Sequence, residues 1–220
     1  MATVTAAPFI PPPDWTMADL LDRIGGVPPQ RVRLLPAPGT ATERDLLEAE
    51  ARTGRICELI DGVLVEKVTG SYESAVAVAL GFFLKDYLRR RRLGVVLGEA
   101  GMLRVFVGQV RAPDVSFISF KRLKARRLPR QPILPLGPDL AVEVLSKGNT
   151  RAEMARKLRE YFAAGARLVW FIDPRSRTAK SYTAPDESQT IAETGSLSGG
   201  EVLPGFSLRL RDLFSEAEGG

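Results

Sequence analysis

Two acids and one lysine carry the chemistry this chain could perform. Asp114 lies in RAPDVSFIS, Glu143 in PDLAVEVLS 29 residues later, and Lys157 in a helix-like run 14 residues beyond that. Both acids interrupt short, apolar, β-branched runs that read as strands. A carboxylate inside such a run is costly to bury unless it is paired or bound to a cation. Two such strands side by side would hold two carboxylates together, and a divalent metal is the simplest neutraliser. A lysine nearby would suit charge developing on a phosphate. The combination points to metal-assisted hydrolysis of a phosphodiester.

Each residue also has a plainer explanation. Pro-Asp, as at 113–114, is common in turns. Glu143 stands among Leu140, Ala141, Val142, Val144 and Leu145. It is either on a solvated face or an acid in a buried sheet, and apolar neighbours on both sides favour the second. The Val144 carbonyl could add an oxygen ligand. A hard-ion site that keeps several waters suits Mg²⁺ or Mn²⁺. Lys157 lies on the flank of a face made by Met154, Leu158, Tyr161 and Phe162, where a lysine ordinarily snorkels to solvent. Lys147 competes for its role, because residues 143, 145 and 147 share one face of a regular strand. Gly148 puts that regularity in doubt. Glu73 opens the helical run 71–93, where an acid also suits the helix dipole. Glu58 and Glu66 read as cross-strand or solvated charges.

Composition removes the alternatives. The 220 residues contain no histidine and one cysteine, Cys57. Ser-His-Asp and Cys-His catalysis, histidine ligands, intramolecular disulfides and cysteine-based zinc sites are thereby excluded. Hydrolysis must run on carboxylates, lysine and metal. The hydrophobic and charged fractions, 45% and 26%, are those of a soluble globular protein. No apolar run reaches membrane-spanning length, and MATVTAAPFIPPP lacks the regions of a signal peptide. These features predict a cytoplasmic protein with no membrane partner. The net charge of +5 favours a polyanionic partner, though many proteins of this charge never touch nucleic acid.

The elements that must position the acids follow from periodicity. Residues 1–13 are Ala/Pro-rich and expected to be disordered. Helices are predicted over 17–25, over 43–52 with Thr42 as N-cap, over 71–93, and over 151–164 behind a Thr150/Glu153 capping box, with Gly165 at C′. Asp61-Gly62 between two alternating runs predicts a hairpin over 56–68. Strands are expected over 95–107 with a break at Gly98–Gly101, and over 113–120, 139–146, 167–174, 178–184 and 201–210. The basic stretch 121–138, with Lys121, Arg122, Lys124, Arg126 and Arg127, would make a reasonable phosphate-contacting arm. Arg89–Arg92 read as a solvated helix end. No GxGxxG or Walker loop opens a helix, which argues against dinucleotide and P-loop binding. The pattern is a mixed α/β sheet flanked by helices, organised as an extension (1–42), one main domain (43–214) and a tail (215–220).

Taken jointly, ELIDGVLVEK (58–67), RAPDVSFIS (111–119), DLAVEVLSKGNT (139–150) and EMARKLREYFAAGARLVWFIDP (153–174) resemble the PD-(D/E)XK restriction-endonuclease-like superfamily. More closely, they resemble its Uma-two branch of bacterial endonucleases. The similarity runs from about Ile56 to Phe214. It implies a restriction-endonuclease-like core with an added N-terminal hairpin and helical extension, and a DNA endonuclease dependent on Mg²⁺ or Mn²⁺. It also implies Asp114 and Glu143 as metal ligands. The superfamily's Glu-x-Lys would put lysine at 145, where Leu145 stands; in this branch the lysine comes from the following helix, here Lys157. Many relatives carry a histidine before the first long helix, where this chain has GSYES. Glu73 is therefore the candidate accessory metal acid. A homodimer would suit cutting of both strands.

Overall fold

The computed structural model describes residues 11–68 and 70–220. The expected disorder over 1–13 falls largely outside these residues. Helix α1 (Met17–Arg23) and helix α2 (Glu43–Thr53) both start with reciprocal capping boxes. Thr16 pairs with Asp19 in the first and Thr42 with Asp45 in the second. Each box satisfies two N–H groups that the helix itself leaves open. Strands β1 (Cys57–Ile60) and β2 (Val63–Glu66) form the expected hairpin. Its turn residues Asp61 and Gly62 have φ of 48° and 71°, as a two-residue primed turn requires.

Helix α3 (Ser71–Arg89) precedes β3 (Gly94–Gly98), β4 (Met102–Phe106), β5 (Gln109–Arg111) and β6 (Val115–Ser119). Then come β7 (Ile133–Leu134), β8 (Leu140–Val144), helix α4 (Arg151–Ala163) and β9 (Leu168–Asp173). The chain closes with β10 (Thr178–Ala184), β11 (Glu187–Ile191), β12 (Ser196–Ser198), β13 (Ser207–Arg209) and helix α5 (Leu210–Ala217). The main sheet has the order β11-β10-β9-β8-β6-β3. Its one parallel pair, β8 with β9, is joined by α4 as a crossover. A second sheet has the order β2-β1-β5-β4-β7.

The architecture is the mixed α/β one expected, with several local differences; β5, β7, β11 and β12 lie outside the predicted strands. The hairpin is not an isolated addition: β1 pairs with β5, which builds it into the second sheet. Helix α3 ends four residues before the predicted boundary, and Gly94 opens β3. A side chain there would collide with the Ile118 carbonyl and the Phe117 ring. The predicted strand over 201–210 is confined to β13, because Leu210, Leu213 and Phe214 recur at helical spacing and bury together as α5.

The main sheet is covered on both faces. Leu140, Val142 and Val144 of β8 join Val115 and Phe117 of β6 in a core against Val76, Leu80 and Leu84 of α3. The alternate residues turn to the opposite face. There Ala141, Val169 and Phe171 pack against Met154, Leu158 and Tyr161 of α4. Period-2 alternation thus puts Glu143 on the α4 side. The N-terminal segment is also part of the packing. Leu20, Ile24, Val27 and Val32 cluster with Ile60, Val63 and Val65 of the hairpin.

Candidate metal centre

The two acids face each other across adjacent strands. β6 and β8 are antiparallel, with Val115 opposite Val142 and Ser116 opposite Ala141. One step further along this ladder is Asp114 opposite Glu143. Both are buried, at 4% and 3% exposure. With Val144, Asn149, Arg31, Lys67, Val68 and Lys157 they line one small cavity. Asp114 sits in the bend that opens β6, as a turn residue would, but it is buried there. One of its oxygens accepts the Val144 N–H at 2.6 Å, and the other meets the Lys67 ammonium at 2.7 Å.

Lys157 is not on the flank of α4. Met154, Lys157, Leu158 and Tyr161 follow the i, i+3, i+4, i+7 spacing of one buried stripe, and Lys157 is 2% exposed. Its ammonium lies 3.0 Å from Glu143 Oε2 and 3.2 Å from Glu58 Oε1. The Tyr161 hydroxyl donates to the other Glu143 oxygen. Lys147, by contrast, is exposed beyond the end of β8. Of the two lysines, Lys157 is the one the structure brings against the acids.

Glu58, expected as a cross-strand or solvated charge of the hairpin, is neither. It is 1% exposed and joins Lys157 to Arg111. Arg111 Nη1 donates to Glu58 Oε2 at 2.8 Å, and the Ala112 N–H donates to Glu58 Oε1 at 3.1 Å. The hairpin run gave no sign of this because β1 is buried on both faces, so alternation does not separate a core acid from a surface one. Arg111 also binds Glu160, which binds Arg156, which binds Asp61 in the hairpin turn. This chain of ion pairs ties the site to the second sheet.

Glu73 stands apart. It lies in the first turn of α3 and is not among the residues lining the cavity. Its carboxylate folds back over Gly70, the N-cap residue, which has no capping side chain of its own. The helix dipole accounts for an acid there. No group of three acids, cysteines or histidines suited to a metal occurs among the described residues. The structure thus brings together Asp114, Glu143 and Lys157 and leaves Glu73 out.

Electrostatics divide the acids. Burial alone would raise the Glu58 carboxyl, but Lys157, then Arg111 and Lys67, outweigh it and pull it down to about 2. Burial also pushes the Glu143 carboxyl up; there Lys157 opposes the shift and Asp114 reinforces it. Lys157 is held charged: burial works against its ammonium, and Glu143 and Glu58 more than offset that. Of the groups lining the cavity, the Asp114 and Glu143 carboxylates are oxygens of the kind a hard divalent cation takes, and the Lys67 and Lys157 ammonium groups occupy them here.

A family model described as "Uma2: Putative restriction endonuclease" matches residues 44–211. Among solved structures, the fold is similar to that of a putative nuclease belonging to DUF820 from Anabaena variabilis ATCC 29413. The two share 19% identity at a TM-score of 0.66, over 75% of this chain and 93% of that one. At that identity the likeness concerns the fold alone. No curated protein matches the chain.

Proposed function

The chain belongs to the Uma2 family, whose model is described as "Putative restriction endonuclease", and on that premise we propose that it is a divalent-metal-dependent endonuclease that hydrolyses DNA phosphodiesters. The observation that carries this reading is the opposition of Asp114 and Glu143 across β6 and β8 with Lys157 resting on Glu143. Asp114 and Glu143 would hold the ion, Mg²⁺ or Mn²⁺. When bound, it supplies a more acidic water and Lewis-acid polarisation of the scissile phosphate.

The chain's own groups do the rest. The Val144 N–H and the Tyr161 hydroxyl each hold one carboxylate in place through one oxygen. Lys157 keeps its proton and presents positive charge where a phosphorane would build negative charge. Glu58, anchored by Arg111 and the Ala112 N–H, positions Lys157 from behind. The basic clusters Arg89–Arg92 and Lys121–Arg127 meet where Arg126 donates to the Arg92 carbonyl. They offer phosphate contacts without base readout. Arg122 is the exception, since it binds the carbonyls of Pro138, Ala164 and Gly165 around the end of α4. The buried free thiol of Cys57 suits a reducing, cytoplasmic setting.

Cleavage of supercoiled, linear and single-stranded DNA with Mg²⁺ or Mn²⁺ tests this reading, with the Glu143→Ala protein alongside. Metal-dependent cutting lost in the variant supports it. One observation favours a second reading, a non-cleaving DNA-binding protein: Lys67 and Lys157 already neutralise Asp114 and Glu143. DNA binding without cleavage under every metal condition would select that reading.

A further inference from the structure

Lys67 follows β2, and its side chain is 8% exposed. Its ammonium makes two short contacts, to Asp114 Oδ1 at 2.7 Å and to the Ala112 carbonyl at 2.7 Å. It therefore takes the one Asp114 oxygen that the Val144 N–H leaves open. The small cavity between the acids and a larger surface cleft have Lys67 and Val68 in common. The surface cleft is also lined by Arg55, Glu66 and Glu99. Glu66 is engaged by Arg33 at 2.7 Å and by Arg55 at 2.5 Å. Glu99, half-buried in the turn between β3 and β4, has no ion pair or hydrogen bond among the described residues.

An ammonium and a divalent ion crowded onto one carboxylate oxygen repel each other, which favours departure of the ammonium when the ion enters. We propose that Lys67 is a positioning residue. It holds Asp114 in the arrangement a divalent cation needs, and it swings out to Glu99 when that cation enters. The inference rests on the reading of Asp114 and Glu143 as metal ligands. Its consequence is a site kept neutral and ordered in the absence of metal, with a metal affinity set by how easily Lys67 leaves. Glu99 then has a purpose in the outer cleft as the berth for the displaced ammonium.

Mn²⁺ binding followed by calorimetry tests this apart from catalysis. Lys67→Met keeps the length of the side chain and removes the charge, and it should bind Mn²⁺ at least tenfold more tightly than the wild type. Lys67→Arg keeps the charge and should show no gain. Glu99→Gln removes the berth and should bind several-fold more weakly. A second measurement uses the unaltered chain: amine labelling read by mass spectrometry should modify Lys67 several-fold faster when Mn²⁺ is present. Equal affinity in wild type and Lys67→Met, or Lys67 labelling indifferent to Mn²⁺, overturns the proposal. If the wild type nonetheless cuts DNA with Mn²⁺, the role of Lys67 alone is refuted. If no variant binds Mn²⁺ and none cuts, the metal-site reading falls with it.

Discussion

At the scale of single residues, the site is a set of buried charges that stand only because each has a partner. Removing one partner strands the other, which typically costs about 3–5 kcal/mol. Lys157→Met should therefore lower stability by that order and abolish cleavage, as read by urea unfolding and by nicking of supercoiled DNA. Cutting at the wild-type rate would remove Lys157 from the mechanism. Glu58 gives a pH signature. Its carboxyl is held at about 2 against an ordinary 4.5, so its contribution is present above pH 4.5 and lost as pH falls toward 2. Glu58→Gln should be less stable by roughly 3 kcal/mol at neutral pH. That gap should close between pH 4.5 and 2 in urea titrations; a gap constant to pH 2 would show that Glu58 is not held ionised by its cationic partners. Asp114 and Glu143 were legible in the sequence because a charge inside an apolar run demands an explanation. Glu58 and Lys67 were not, because their partners lie 99 and 47 residues away in the chain, on other elements. Tyr161 was read only as part of an apolar face, because an aromatic at helical spacing gives no hint that its hydroxyl reaches an acid.

At the scale of elements, α4 decides whether Lys157 points at the acids, and its first turn is doubly anchored. The Thr150 hydroxyl accepts the Glu153 N–H and donates to the Gly25 carbonyl. Thr150→Ala should cost about 1 kcal/mol or somewhat more, as loss of a cap usually does. The predicted capping box is only half present. The Glu153 side chain turns away from Thr150 to a two-pronged pair with Arg31, at 2.9 and 2.8 Å. Arg31 also donates to the Gly148 carbonyl in the loop between β8 and α4. Arg31→Met leaves Glu153 buried without a partner, and should destabilise the fold by about 3–5 kcal/mol in chemical denaturation. A loss under 1 kcal/mol would show that this clamp is dispensable. Helix starts, the hairpin turn and the central strands were legible from local chemistry. The pairing of the hairpin with β5, and the anchoring of residues 15–32 onto it, were not, since neither leaves a periodic trace.

At the scale of the whole molecule, the paired acids and the basic clusters lie at opposite ends of β6. The acids sit where β6 begins, and the basic clusters gather where it ends, since Gly94 pairs with Ser119. Five residues at about 3.3 Å each put roughly 17 Å between them. On the proposed function, DNA would span that distance. Reversing Arg91 and Arg126 to glutamate should then weaken DNA binding and lessen the slope of log affinity against log salt by about 2, at unchanged Mn²⁺ affinity. An unchanged slope would place the phosphate contacts elsewhere. The net charge of +5 hinted at a polyanion, but only the fold shows which arginines lie together. On the proposed function, Asp114 and Glu143 form one metal-dependent hydrolytic centre. Its most direct test is the rate of Mn²⁺-dependent nicking of supercoiled DNA by the wild type and by Asp114→Asn, with both proteins checked for a folded state. Metal-dependent nicking by the wild type and a loss of at least a hundredfold in the variant are expected; nicking retained by folded Asp114→Asn would show that Asp114 is no part of the hydrolytic centre.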